Sequence, residues 1–287
     1  MSFTSSTWVS HSSISDFLKC PRAYFLKNVY RFATTGHKIK LMTPALALGQ
    51  IVHEVLESLS KLPAAKRFSV PLIDLYNKAW EKVSGVRGGF ANKDIEHRYF
   101  IRGQEMLSAI KDNPGPISRP AVKIQAKGDL PQYLLSPEDE IILCGKIDWL
   151  EYLPESDSVH IIDFKTSTRE EDPDSLQLPI YYLLVKNCQK RPVAKASYLY
   201  LENGAGPVAK PLPDYQKSAD KILKIAKRIK LARTFGRFVC PKNGCSHCLP
   251  YERIVSNKCQ LVGQDSYGAD VFVDLSSKEP PHDSIVL

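Results

Sequence analysis

The stretch from Glu140 to Ser167, EIILCGKIDWLEYLPESDSVHIIDFKTS, constrains the fold more than any other part of the chain. Two runs rich in apolar and β-branched residues flank Pro154-Glu155-Ser156-Asp157, which reads as a four-residue hairpin loop. If Pro154 and Asp157 close the turn, Asp148 and Asp163 stand directly opposite each other, with Cβ atoms roughly 5 Å apart. Lys165 lies two residues beyond Asp163 and so projects from the same face. Opposed like charges repel unless a cation or a proton lies between them. Two carboxylates and a lysine on one sheet face are therefore costly as mere structure, and a divalent metal is the resolution this pattern points to.

The rest of the 287-residue chain supplies a setting for that hairpin. Hydrophobic residues make up 43% of it and aromatics 9%, enough for a globular protein with a sizeable core. The net charge of +8 points toward a polyanionic partner. No apolar run approaches the roughly 20 residues of a membrane span. The opening MSFTSSTWVSHSS has neither the basic nor the apolar region of a signal peptide, so a cytoplasmic location is expected. Seven cysteines without an export signal argue against a disulfide scaffold and for a reducing compartment.

Taken in order, Ser13-Ile14-Ser15-Asp16 resembles a capping box and predicts a short helix from Ser13 to just before Pro21, with Phe17 and Leu18 facing the core. On its own Cys20 reads as a buried apolar filler. Pro44 to Leu62 is a helix with apolar residues at 48, 51, 52, 55, 56 and 59. His53 lies at the edge of that stripe and by itself reads as a hydrogen-bonded core histidine. Gly49, one turn earlier, would admit close approach of another element. Residues 63–118 read as a helical insertion anchored by Trp80, Tyr99, Phe100 and Met106. The alternation of Val122, Ile124 and Ala126 predicts a strand over Ile117 to Gly128, followed by a loop or poor strand from Leu130 to Asp139. Asp174 to Cys188 is predicted as a helix capped by Asp174, on which Gln177 and Tyr181 share a face. Lys195 to Leu201 reads as a buried strand. Tyr215 to Phe235 is an amphipathic helix whose polar side is dominated by lysine and arginine, either a solvated face or a phosphate-contacting one. After Gln260 a short extended segment precedes a polar end.

The segment 236–260 carries Cys240, Cys245 and Cys248 in a C-x4-C-x2-C spacing, then Cys259. Thiolates so spaced in a loop can converge on one metal or cluster. Three local cysteines do not complete a four-thiolate site, so the fourth ligand is either Cys259 or the distant Cys20.

Together these pieces resemble the RecB-like branch of the PD-(D/E)XK nuclease superfamily, nearest to the iron–sulfur exonucleases of the AddB and CRISPR-associated type. The resemblance rests on Cys20-Pro21-Arg22-x-Tyr24-Phe25, Gly49-x3-His53, Gly145-x2-Asp148, Asp163-x-Lys165, Gln177-x3-Tyr181 and the C-terminal cysteines, in that order. It implies a mixed α/β, restriction-endonuclease-like core of helix, three strands, helix and strand, with residues 1–287 forming one nuclease domain. It implies that His53, Asp148, Asp163 and the carbonyl of Phe164 ligate Mg²⁺ or Mn²⁺, that Lys165 assists catalysis, and that Gln177 and Tyr181 shape the site. It further implies a [4Fe–4S] cluster held by Cys20, Cys240, Cys245 and Cys248, with Cys259 as the substitute ligand and zinc as the alternative occupant.

The activity expected from this resemblance is metal-dependent hydrolysis of DNA, exonucleolytic on single-stranded or end-bearing substrates, in repair, recombination or CRISPR adaptation. No GxxxxGK[ST] loop is present, so a helicase or CRISPR adaptation partner would be a separate chain. Two other classes compete with this reading. A catalytically degenerate nucleic-acid-binding or structural module is opposed by the intact Asp148, Asp163 and Lys165. A thiol redox protein built on Cys245 and Cys248 lacks the strand-to-helix setting of that motif.

Overall fold

The computed structural model describes residues 6–125, 130–167, 169–204 and 206–276. Chain order explains how they assemble. Strand β1 (Thr7–Val9) leads into helix α1 (His11–Lys19), where Ser10 accepts from the Ser13 amide and the Ser13 hydroxyl answers the Ser10 backbone. The capping box thus sits three residues before the predicted one, because Ser10 and not Ser13 adopts the extended cap conformation. Phe17 is buried as expected, whereas Leu18, about 100° further round the helix, points outward at 48% exposure. Pro21 then opens helix α2 (Pro21–Tyr24), as a proline at the first helical position can.

Strand β2 (Ile39–Met42) precedes helix α3 (Pro44–Leu59), capped by Thr43, whose side chain accepts from the Leu46 amide. Leu48, Ile51, Val52, Val55, Leu56 and Leu59 are all buried, as their spacing predicts. Helices α4 (Leu72–Trp80) and α5 (Lys93–Asp112) supply the helical insertion, with Trp80 and Met106 in the core. Buried Arg67 ties this region together: it donates to the carbonyls of Leu59, Leu62, Ile117 and Arg119 and lies 4.8 Å over the Trp149 ring. Satisfying so many orphan carbonyls with one guanidinium offsets the cost of burying it.

The predicted strand from Ile117 does not form. Residues 122–125 form no ladder: the Val122 amide donates to the Leu150 carbonyl at 2.8 Å, and an isolated bridge joins Ala121, just before them, to Glu151. Its end at 126–128 lies outside the described residues, as do Thr168 and the polar end beyond 276. The weak strand after Leu130 is real: β3 (Gln132–Ser136) pairs antiparallel with β4 (Ile141–Cys144), which also takes β1 in parallel.

The central hairpin is β5 (Trp149–Leu153) and β6 (Ser158–Lys165), turned through Pro154–Ser156 with Asp157 left-handed. Its register pairs Trp149 with Ile162 and Leu153 with Ser158, and one step outward this places Asp148 opposite Asp163. Helix α6 (Gln177–Cys188) follows, starting three residues after the predicted cap, then β7 (Val193–Tyr200) parallel to β6 and β8 (Val208–Lys210) antiparallel to β7. The sheet order is β5-β6-β7-β8. Every residue of β6 from Ser158 to Phe164 is buried, as befits a central strand covered on both faces. Trp149, Ile162, Phe164 and Leu199 pack toward α3 and α5; Leu150, Ile161, Ala196 and Tyr198 pack toward α6 and helix α7 (Tyr215–Thr234), which Asp214 caps.

Helix α8 (Leu249–Val255) follows the cysteine segment. The tail then forms a hairpin and not a single extended segment: β9 (Gln260–Gln264) pairs with β10 (Asp270–Val273), and β10 runs parallel to β2 at the centre of a third sheet. The architecture is a mixed α/β fold of the restriction-endonuclease-like kind, with the cysteine-bearing segment at its C-terminal side. Among the described residues no helix is long and apolar enough to cross a membrane.

Candidate active site

At the C-terminal end of β6, α3 and α6 arrive from opposite faces of the sheet and bring their polar side chains together. The close approach of α3 depends on Gly49, where a Cβ would stand 3.3 Å from the Thr166 hydroxyl oxygen just past β6. From α3, His53 Nδ1 reaches Asp148 Oδ1 at 3.3 Å. The other oxygen of Asp148 accepts from the Phe164 amide at 2.9 Å, which locks the two strands of the hairpin at this point. From α6, the Gln177 amide nitrogen donates to Asp163 Oδ1 at 2.5 Å and to the Tyr181 hydroxyl at 3.3 Å. The Gln177 carbonyl oxygen accepts from Lys165 Nζ at 2.5 Å. Lys165 also lies 3.0 Å from Asp163 Oδ2 and 2.8 Å from Glu171 Oε2, and 5.0 Å over the Tyr198 ring.

Burial sets the electrostatics. Asp163 is fully buried, and that burial, reinforced by the negative charge of Asp148, pushes its carboxyl up to about 7. For Asp148, burial acts upward, but the hydrogen bond and charge of His53 outweigh it and hold the carboxyl below its usual range. Burial would lower His53, yet Asp148 raises it. Lys165 behaves likewise: burial acts downward, Asp163 and Glu171 overcome it, and the ammonium is held charged. His11, at the start of α1, is held neutral near pH 7, its imidazole lowered to about 4 by burial and by Lys165.

One residue escaped the sequence reading. Glu57, one turn beyond His53 on α3, presents its carboxylate so that ligand atoms of His53, Glu57 and Asp148 lie within 4.8 Å of one another. The i, i+4 spacing from His53 was the signal that could have found it. Asp163 is not in that trio, since its oxygens face Gln177 and Lys165. The donor set is nonetheless one a hard divalent cation takes: carboxylates and an imidazole. Lys146 pairs with Glu57. His53 and Glu57 open into a cleft of about 800 Å³ that runs to the β9–β10 turn.

The second cluster joins distant ends of the chain. Cys20 lies between α1 and α2, and Cys240, Cys245 and Cys248 lie between α7 and α8; their four sulfurs are within 4.8 Å of one another. Arg22 fastens the two segments through a two-pronged contact with Glu252, at 2.5 and 3.2 Å. Phe238 stacks on Tyr24 with ring centres 5.9 Å apart. Amides of Gly244 and Lys242 bring the Cys240 thiol down to about 7, and Cys245 is lowered by the Cys248 amide, whereas burial raises Cys20 and pushes Cys248 up to about 12. Four converging thiols, two of them easily ionised, suit a thiophilic metal centre. Cys259 lies outside the group. It packs beside Ile39, Ile254 and Phe272, because β9 carries it away toward the third sheet.

A family model for the PD-(D/E)XK nuclease superfamily matches residues 8–254, which include both clusters but not the β9–β10 hairpin. No curated protein matches the sequence.

Proposed function

Because this chain belongs to the PD-(D/E)XK nuclease superfamily, we propose that it is a metal-dependent DNA nuclease of the RecB/AddB-like branch. In this reading it acts exonucleolytically on single-stranded or end-bearing DNA. The observation that carries the proposal is the convergence of Asp148, Asp163, Lys165 and Gln177 at one end of β6, beside His53.

His53, Asp148 and Asp163, with the Phe164 carbonyl and Glu57, would hold Mg²⁺ or Mn²⁺. A divalent ion there supplies polarisation of the scissile phosphate and a lowered pKa for the attacking water. The chain's own groups do the rest. Lys165 is charged at neutral pH, so it stabilises negative charge developing on the phosphoryl oxygens and does not act as a base. Gln177 bridges Asp163 and Lys165 and fixes their spacing, while Tyr181 orients Gln177. Lys146, paired with Glu57 at the edge of the cleft, would lie near a phosphate brought to the site.

The four cysteines would hold a [4Fe–4S] cluster that clamps α2 to the segment before α8. A second occupant has a specific observation in its favour: the Cys245 and Cys248 sulfurs lie 3.7 Å apart. A single zinc with bonds of about 2.3 Å sets a tetrahedral edge of about 3.8 Å. An absorption spectrum of anaerobically purified protein with elemental analysis separates the two. A broad band near roughly 400 nm with iron supports the cluster; a featureless spectrum with one zinc per chain supports the ion.

A role in DNA repair, recombination or CRISPR adaptation, in the cytoplasm, with any helicase on a separate chain, accords with the branch resemblance. The test of the activity is hydrolysis of end-labelled DNA in Mn²⁺ by wild type and by Asp163→Ala. Equal hydrolysis by the two proteins would sink the assignment of this site.

A further inference from the structure

The β9–β10 hairpin lies beyond the residues that match the family model, yet it builds one wall of the cleft that leads to His53 and Glu57. Lys82 and Arg87 also line it, and the floor is the polar face of α3. At the hairpin tip Tyr267 is 74% exposed, although it lines the cleft. The tip is held in shape by its own hydrogen bonds. Asp265 Oδ1 accepts from the amides of Tyr267 and Ala269 at 2.9 and 3.0 Å, and Gly268 turns the chain at φ +75°. Lys40 braces the turn from β2, 3.4 Å from Asp265 Oδ2.

A large ring that gains no burial from being there, fixed on a braced turn above a cationic cleft, has the form of a stacking platform. Nucleic-acid grooves of this kind pair cations that follow the backbone with an aromatic face that accepts any base. Four cations, Lys40, Lys82, Arg87 and Lys146, line the cleft against three carboxylates, Glu54, Glu57 and Asp265, which leaves a net positive lining for a phosphate backbone. An exposed ring can stack only on a base freed from its partner, so the implied occupant is a single strand.

We propose that Tyr267 is a substrate-positioning residue on which a base of single-stranded DNA stacks as the strand enters the cleft. This rests on the nuclease reading and adds a contact outside the region shared with the superfamily model. Tyr267 does not touch the reacting phosphate. Its effect therefore falls on binding of base-bearing strands.

The experiment compares two fluorescent strands of about ten nucleotides, an oligothymidylate and an abasic backbone of equal length, by anisotropy in chelator. Wild type should prefer the base-bearing strand by about tenfold. Tyr267→Ala should lose that preference while binding the abasic strand as wild type does, and Tyr267→Phe should keep it. No preference in wild type, or a preference that survives in Tyr267→Ala, overturns the proposal. Hydrolysis of labelled DNA is measured alongside. A protein that cleaves DNA without the Tyr267 effect removes only the platform, whereas one that neither binds nor cleaves DNA removes the nuclease reading as well.

Discussion

The side-chain amide of Gln177 donates to Asp163 Oδ1 at 2.5 Å, so a residue on α6 fixes the orientation of a carboxylate on the central strand. Its carbonyl simultaneously accepts from Lys165. Gln177→Ala should lower kcat by about 10- to 100-fold, because both partners lose their shared spacer. Gln177→Glu should fall at least as far, since a carboxylate cannot donate to Asp163. Steady-state kinetics on labelled DNA with unchanged melting temperature is the check.

Lys165→Met should abolish most hydrolysis, by about 10² to 10³-fold, as removal of a charge-stabilising donor does. Divalent-ion binding should survive, because Lys165 is a charge partner and not a ligand. Calorimetric titration with Mn²⁺ distinguishes this from loss of the metal centre.

Metal binding should release protons at mildly acidic pH. The Asp163 carboxyl is raised to about 7, so below that value the metal-free protein holds a proton there that a divalent ion must expel. Apparent Mn²⁺ affinity should rise with pH through about 7, as Asp163 and the raised imidazole of His53 give up their protons. Titrations at pH about 6 in buffers of different ionisation enthalpy will count the proton. Asp163→Asn should lower the count without abolishing it, because His53, also raised, sheds its own proton to bind the ion; an unchanged count would refute the assignment of the raised carboxyl to Asp163.

Cys20→Ser should strip the four-thiol centre and destabilise the chain by about 3 kcal/mol or more, because the fully buried Cys20 joins α1–α2 to the segment before α8. Cys259→Ser should leave the metal content unchanged. Elemental analysis and thermal denaturation of the two variants read the contrast directly.

On the sheet face away from α6, Ser197, His160 and Glu151 form a hydrogen-bonded chain of 2.7 and 2.8 Å that has the order of a hydrolytic triad. The serine is only 2% exposed, so no substrate reaches it and the chain serves as a buried polar brace. His160→Ala should cost about 3–5 kcal/mol by leaving Glu151 half unpaired. Activity per folded molecule should be unchanged, measured against the fraction folded at low temperature.

What could be read from the residues was whatever had a local signature. The hairpin register followed from a period of two and one turn, so the opposition of Asp148 and Asp163 was within reach. The α3 stripe was equally plain. Glu57 was visible only to someone asking what shares the His53 face, and it was passed over. The convergence of Cys20 with three cysteines more than two hundred residues away had no signature in spacing and came only through family resemblance. Strands β1, β2 and β8, of three or four residues, carry too little alternation to announce themselves. Residues 122–125 alternate as a strand should, but the neighbouring edge offers one bridge, at Ala121 just before them, and no ladder.

The parallel seam between β10 and β2 has a consequence for how the molecule is made. Ile39 leaves the ribosome long before Asp270, its partner, has been synthesised. Until then β2 has no neighbour in its sheet and the cleft is missing a side. A chain not yet synthesised as far as Asp270 therefore lacks this wall of the cleft, and β2 waits for a partner that arrives more than two hundred residues later.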